Sequence, residues 1–239
     1  MKILGLDSSG LVASVAIVEN DNLLAEYTVN YKKTHSQTLL PMLDEICKMV
    51  ELDLESIDAI AVSAGPGSFT GLRIGSATAK GLGLALKKPL IGIPTVEGLA
   101  YNLYGMPGYI CPIMDARRNQ VYTGIYAFEN VFEKDEMTVV EDQMAINIEE
   151  LIEKLNEKNK PVTFLGDGVS VYKKKIEEKI KVPYTFAPAH TNKQRAGAVA
   201  ALGAKYYAQG RYETAREHQP DYLRASQAER EREERETKK

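Results

Sequence analysis

At 239 residues, the chain is long for one compact core and short for two ordinary domains, which suits two small lobes. Hydrophobic residues make up 44% and charged residues 26%, a globular balance that excludes global disorder. A formal charge of −3 and a pI near 5.8 exclude a chain that grips a nucleic-acid backbone unaided, because phosphate neutralisation needs a basic surplus.

Ile3 to Leu6 reads as a buried strand ending in Asp7-Ser8-Ser9-Gly10. Val12 to Val18 and Leu23 to Val29 then read as a hairpin around Asn20-Asp21-Asn22. The opening apolar run breaks at Asp7, too early for a signal peptide, and no stretch approaches the ~18 apolar residues of a membrane span. Thr34 to Val50 follows as a helix whose regular part starts near Thr38, because Pro41 fits only a first turn or a kink. Cys47 and Cys111 are isolated thiols among apolar neighbours and form no disulfide framework, so a reducing cytoplasm is expected.

Ile57 to Ser63 is a strand, 69–86 a helix, Leu90 to Ile93 a strand and Thr95 to Tyr104 a helix, closed by Gly105-Met106-Pro107-Gly108. That cluster divides an N-terminal lobe, 1–105, from a C-terminal lobe, 106–225. Tyr109 to Met114 and Val121 to Phe128 restart the strand pattern around Asp115 to Gln120, with helices at 147–158 and 169–180 between strand-like segments. The order predicts an α/β fold with duplicated topology, two similar lobes each holding a mixed sheet flanked by helices. Residues 226–239 form a charged tail; pairs such as Glu231 with Arg235 support a solvated helix, but no apolar face ties it to a core.

The stretch from Gly65 to Gly75 lies between a strand and a helix, where backbone N–H groups and the helix dipole can hold an anion. Gly71 is followed by Leu72-Arg73 and not by Lys-Ser/Thr, which argues against a P-loop NTPase. Gly71, Gly75, Ala79 and Gly83 line one helix face at a spacing of four. Gly75, Gly81 and Gly83 together forgo roughly 2–3 kcal/mol of helix propensity, which close contact must return. Spacing alone leaves that contact open between this lobe and a partner helix or nucleotide. In the preceding helix Leu39, Leu40, Met42, Leu43, Ile46, Cys47, Met49 and Val50 span an arc of about 180°, wider than a one-sided surface helix needs. Leu39, Met42, Leu43, Ile46 and Met49 are therefore expected to share in a protein interface together with Gly71, Leu72, Gly75, Ala79 and Gly83.

Catalytic signatures are thin. His35, His190 and His218 form no metal pair, and Ser8 and Ser68, with no identifiable base, read as turn residues rather than nucleophiles.

Taken together, Leu4 to Ser9, His35 to Pro41, Gly65 to Gly75 with Ala79-Lys80-Gly81, Asp115 to Tyr122 and Pro220-Asp221-Tyr222-Leu223-Arg224 resemble the TsaB (YeaZ) family, and through it the superfamily of actin, sugar kinases and chaperone ATPases. The resemblance implies an actin-like ATPase (ribonuclease H-like) fold. It also makes Asp7, Ser8, Ser9, Gly65, Gly67 and Ser68 a vestigial nucleotide site, with weak ATP or ADP binding and no cofactor required. TsaD-type relatives carry a His-x-x-x-His metal pair where this chain has Thr95 and Leu99. The implied role is a non-catalytic subunit in threonylcarbamoylation of tRNA next to the anticodon. Its implied partners are a TsaD-type transferase, a TsaE-type ATPase and, without them, a second copy of the chain, with tRNA met only indirectly and no membrane. An alternative stays open on the phosphate-loop residues, a free-standing ATP-dependent phosphoryl or carbamoyl transferase; a glycoprotease loses its chemical basis at Thr95 and Leu99.

Overall fold

The computed structural model describes residues 1–31, 35–128 and 136–224; the expected helix start at Thr34 and the charged tail at 226–239 lie outside them. In the first half, β1 (Lys2–Asp7), β2 (Val12–Glu19) and β3 (Asn22–Asn30) precede α1 (Leu39–Met49), β4 (Ala59–Gly65), α2 (Phe69–Leu86), β5 (Leu90–Pro94) and α3 (Thr95–Tyr101). The second half holds β6 (Tyr109–Asp115), β7 (Gln120–Ala127), β8 (Thr138–Asn147), α4 (Ile148–Lys158), β9 (Val162–Leu165), α5 (Gly168–Lys179), β10 (Tyr184–Phe186) and α6 (Ala196–Ala208).

The sheets run β3-β2-β1-β4-β5 and β8-β7-β6-β9-β10, so both have the same topology: an antiparallel meander whose first strand also pairs with a parallel strand, which in turn pairs with a second one. The expected duplication is thus a duplication of connectivity. Helical crossovers make the parallel pairs possible. Strands β1 and β4 are covered on both faces and read as near-continuous apolar runs, whereas β3 lies at an edge and has no fully buried residue.

Local chemistry explains the helix boundaries. Helix α1 begins after Thr38, and Pro41 falls in its first turn, where the missing N–H would have had no partner. Asn147 caps α4 by accepting from Glu149 N at 2.9 Å, and Ile148, Leu151, Ile152 and Leu155 bury the face that helical spacing gives them.

One face of the first sheet carries α1 and α2, whose Leu39, Met42, Leu43, Ile46 and Ala79 pack with Leu4, Leu6, Val15 and Ile17. Its other face carries α6, through Val199, Ala200, Leu202 and Tyr206 against Ile3, Ala61 and Ile91. Helix α6 falls within 106–225 in sequence but packs on the first sheet. The sheets are joined through α3, where Val96, Leu99, Ala100 and Leu103 meet Ile110, Met114, Tyr126 and Leu165. No helix among the described residues is long and apolar enough to cross a membrane.

Candidate functional site

Both halves deliver the same local sequence of features to one cleft. Each first strand ends in an aspartate, Asp7 on β1 and Asp115 on β6. Each fourth strand runs into a Gly-x-Gly turn before a helix: Gly65-Pro66-Gly67 before α2, and Gly166-Asp167-Gly168 before α5. Gly65 (φ +130°) and Gly166 (φ +105°) occupy backbone regions closed to other residues, and a Cβ there would meet Asp221 O at 2.1 Å and Ile113 O at 2.2 Å. Between the turns lies a cavity of about 420 Å³ lined by Ser9, Gly10, Gly67, Ser68, Asp115, Asp167 and the segment from Asp221 to Arg224, among others.

The six nucleotide-site residues expected from the resemblance do come together, but unequally. Ser9, Gly67 and Ser68 face the cavity. Asp7 and Ser8 lie beneath it, 2% and 3% exposed, and Gly65 is buried at the end of β4. The two loops touch through their backbones, with Ser68 N donating to Ser9 O at 2.7 Å. Ser68 also caps α2, its Oγ accepting from Gly71 N at 3.3 Å, while Leu72 N donates to Ser68 O. Two of the amides that a phosphate loop would aim at an anion, Ser68 N and Gly71 N, are therefore engaged within the chain.

Asp7 Oδ1 accepts from Ser9 N at 2.9 Å and Ser9 Oγ at 2.7 Å, and Oδ2 accepts from Ser63 Oγ at 2.6 Å. Burial nevertheless pushes its carboxyl above the ordinary range, outweighing those hydrogen bonds. The folded state thus holds this proton more tightly than the unfolded chain does. Its stabilising contribution is full below the unfolded aspartate range and is lost as pH rises through the folded value. Asp7→Asn should accordingly be more stable than the native chain at pH 8, with the difference shrinking towards pH 4, as read from urea midpoints.

On the opposite wall Asp115 Oδ1 accepts from Arg117 N at 2.9 Å and Tyr172 Oη at 3.1 Å, and its own N–H donates to Asp167 Oδ1 at 3.2 Å. Burial raises Asp167, and burial with the nearby Asp115 charge pushes the Tyr172 phenol up to about 12. Sequence reading had not singled out Asp167 or Tyr172. The Gly-Asp-Gly turn was the available signal for the first, and nothing local marked the second. Among the described residues no three His, Cys, Asp or Glu side chains gather as metal ligands. Thr95 and Leu99 are each 1% exposed on α3, and Leu99 packs in the cluster that joins the sheets. Apolar packing therefore surrounds Leu99, where the resemblance implies the second histidine of a TsaD-type pair.

The expected interface requires a correction. Leu39, Met42, Leu43 and Ile46 are 1–5% exposed, covered by the chain's own sheet. The small face of α2 is also filled from within. A Cβ on Gly71 would lie 2.1 Å from Ser8 O, one on Gly75 would lie 2.5 Å from Ser8 Oγ, and one on Gly83 would lie 2.8 Å from Leu90 Cδ1. Leu72 and Ala79 are 1% and 0% exposed. Spacing detected a close approach correctly but could not say that β1 and β5 make it. Of the expected set only Met49 is exposed, at 76%.

The outward side of the same two helices is a different surface. Leu40 is 52% exposed and Leu84 55%, and Arg73, Ala77, Gly81 and Ala85 follow at a spacing of four along the exposed side of α2. A Cβ on Gly81 would meet nothing within 4 Å.

Comparison with known proteins agrees with this architecture. Residues 22–232 match the family model for TsaD, tRNA N6-adenosine threonylcarbamoyltransferase. The "tRNA threonylcarbamoyladenosine biosynthesis protein TsaB" of Bacillus subtilis (strain 168) is 35% identical over 229 residues, covering 96% of each chain. The structure of YeaZ from Pseudomonas aeruginosa superposes with a TM-score of 0.78 at 25% identity, over 93% of this chain and 99% of that one. An inorganic polyphosphate/ATP-glucomannokinase from Arthrobacter sp. strain KM shares the fold alone, with a TM-score of 0.50 at 12% identity over 87% of this chain and 99% of that one. Matching over nearly its whole length in both sequence and structure, the chain belongs to the TsaB (YeaZ) family, on the actin-like ATPase fold.

Proposed function

We propose that the chain is a non-catalytic subunit in tRNA threonylcarbamoyladenosine biosynthesis, which docks a TsaD-type transferase through the outward face of α1 and α2. Family membership supports the pathway. Gly81 carries the docking reading. A glycine inside a helix costs about 0.5–1 kcal/mol relative to alanine, and the packing that explains Gly75 and Gly83 has no counterpart at Gly81. Leu84 on the same helix and Leu40 and Met49 on α1 are exposed as well, and small residues among apolar anchors let a partner helix approach closely.

The same face would pair two copies of the chain when the transferase is absent, so the two associations compete. A TsaE-type ATPase would join the assembled pair rather than this chain alone. The engaged amides of Ser68 and Gly71 and the apolar packing at Leu99 support a role without transfer chemistry of its own. The test is reconstitution: the chain and a TsaD-type protein should co-elute, and tRNA threonylcarbamoylation by the transferase with its ATPase should require the chain. Modification at an equal rate without it would end the proposal.

A further inference from the structure

Pro220-Asp221-Tyr222-Leu223-Arg224 is tied to both walls of the cleft. Asp221 N donates to Ala64 O at 2.7 Å on β4, and the Asp221 carboxylate accepts from Gln143 Nε2 at 2.6 Å on β8. The Tyr222 ring lies 4.8 Å from that of Phe69, centroid to centroid, and its hydroxyl accepts from Arg73 Nε at 3.4 Å. Arg224 donates to Ala116 O at 3.0 Å, just beyond β6. One short stretch thus links the first sheet to the second across the open side of the cleft.

The seat for this stretch is built into the backbone. Gly65 adopts φ +130°, and any Cβ there would strike Asp221 O. On the far side the sheets are joined through α3 by side chains that are almost wholly buried and apolar. The two connections respond differently to water. Separating the α3 cluster exposes apolar surface, whereas Asp221 and Tyr222 are already exposed and exchange their hydrogen bonds for bonds to water at little net cost.

We propose that residues 220–224 are a releasable clasp: they hold the cleft walls together opposite the α3 connection, and their detachment lets the walls part. The clasp makes the state of the cleft depend on a handful of polar contacts at its rim. It meets the proposed docking surface only at Arg73, through Tyr222, and none of its contacts involves Leu40, Met49, Gly81 or Leu84.

Hydrogen–deuterium exchange of the full chain tests this. In a variant combining Gln143→Ala with Arg224→Ala, and separately in Tyr222→Ala, exchange at residues 64–70 and 115–122 should rise at least ~5-fold, while β1 and α3 keep the native rate. Faster exchange confined to 219–224, with both walls as in the native chain, would overturn the clasp. Should those variants fail to fold, Gln143→Cys with Asp221→Cys, in a Cys47→Ser background and bridged by a short bis-maleimide, decides by gain. Bridging should slow exchange in the same two stretches, and a confirmed bridge that leaves them unchanged would equally overturn it.

Discussion

Gly71→Ala should lower the stability of the isolated chain by about 3 kcal/mol, whereas Gly81→Ala should raise it by about 0.5–1 kcal/mol. Both sit in one helix and both changes add one methyl group, so propensity predicts the same gain for each. Packing separates them. The new Cβ at 71 would lie 2.1 Å from a backbone oxygen, Ser8 O, which no rotamer change can move. Helix α2 would have to retreat from the turn after β1, breaking the bond from Ser8 Oγ to Gly71 O at 2.8 Å. At 81 the methyl enters open space. Urea midpoints at matched m-values check both signs.

The contrast also marks what the sequence could yield. Apolar periodicity and turn residues located most strands and helices, because each β-α alternation carries its own local signals at Gly, Pro and Asn. Helix α6 escaped because its Ala- and Gly-rich stretch is apolar nearly all round and shows no polar face to set a period. The residue-level repeat escaped because the Asp pair and the Gly-x-Gly pair recur at different separations, so no fixed period exists. For the site, the i, i+4 pattern at Gly71, Gly75, Ala79 and Gly83 announced close contact but not its partner, which depends on β1 and β5 folding beneath it. Gly81 stood out in sequence only as a cost; its meaning needed the knowledge of which side faces outward. The nearness of Asp221 to Gly65 is set by tertiary structure and had no local signal.

Gly81→Arg should weaken association with the TsaD-type transferase by about 100-fold or more, roughly 2.7 kcal/mol, without unfolding the chain. Arginine is a better helix former than glycine, and its side chain is free to extend into solvent in the isolated chain. In a docked helix pair the same side chain would occupy the space where the backbones approach. The loss should therefore appear in binding and in the modification rate while the melting temperature holds or rises. Leu84→Asp should act in the same direction by placing a carboxylate in an apolar contact. Under the proposed docking, self-association should fall in step with transferase binding, because both would use this face. A variant that loses one association and retains the other would separate the two surfaces.

The central claim is where the partner sits, and hydroxyl-radical footprinting of the mixture of this chain with a TsaD-type transferase tests it most directly. Leu40, Met49 and Leu84, open in the isolated chain, should become protected on mixing, while Tyr184 on β10, also exposed, keeps its labelling rate. Labelling of Leu40, Met49 and Leu84 at the rate of the free chain, with protection elsewhere, would contradict the account.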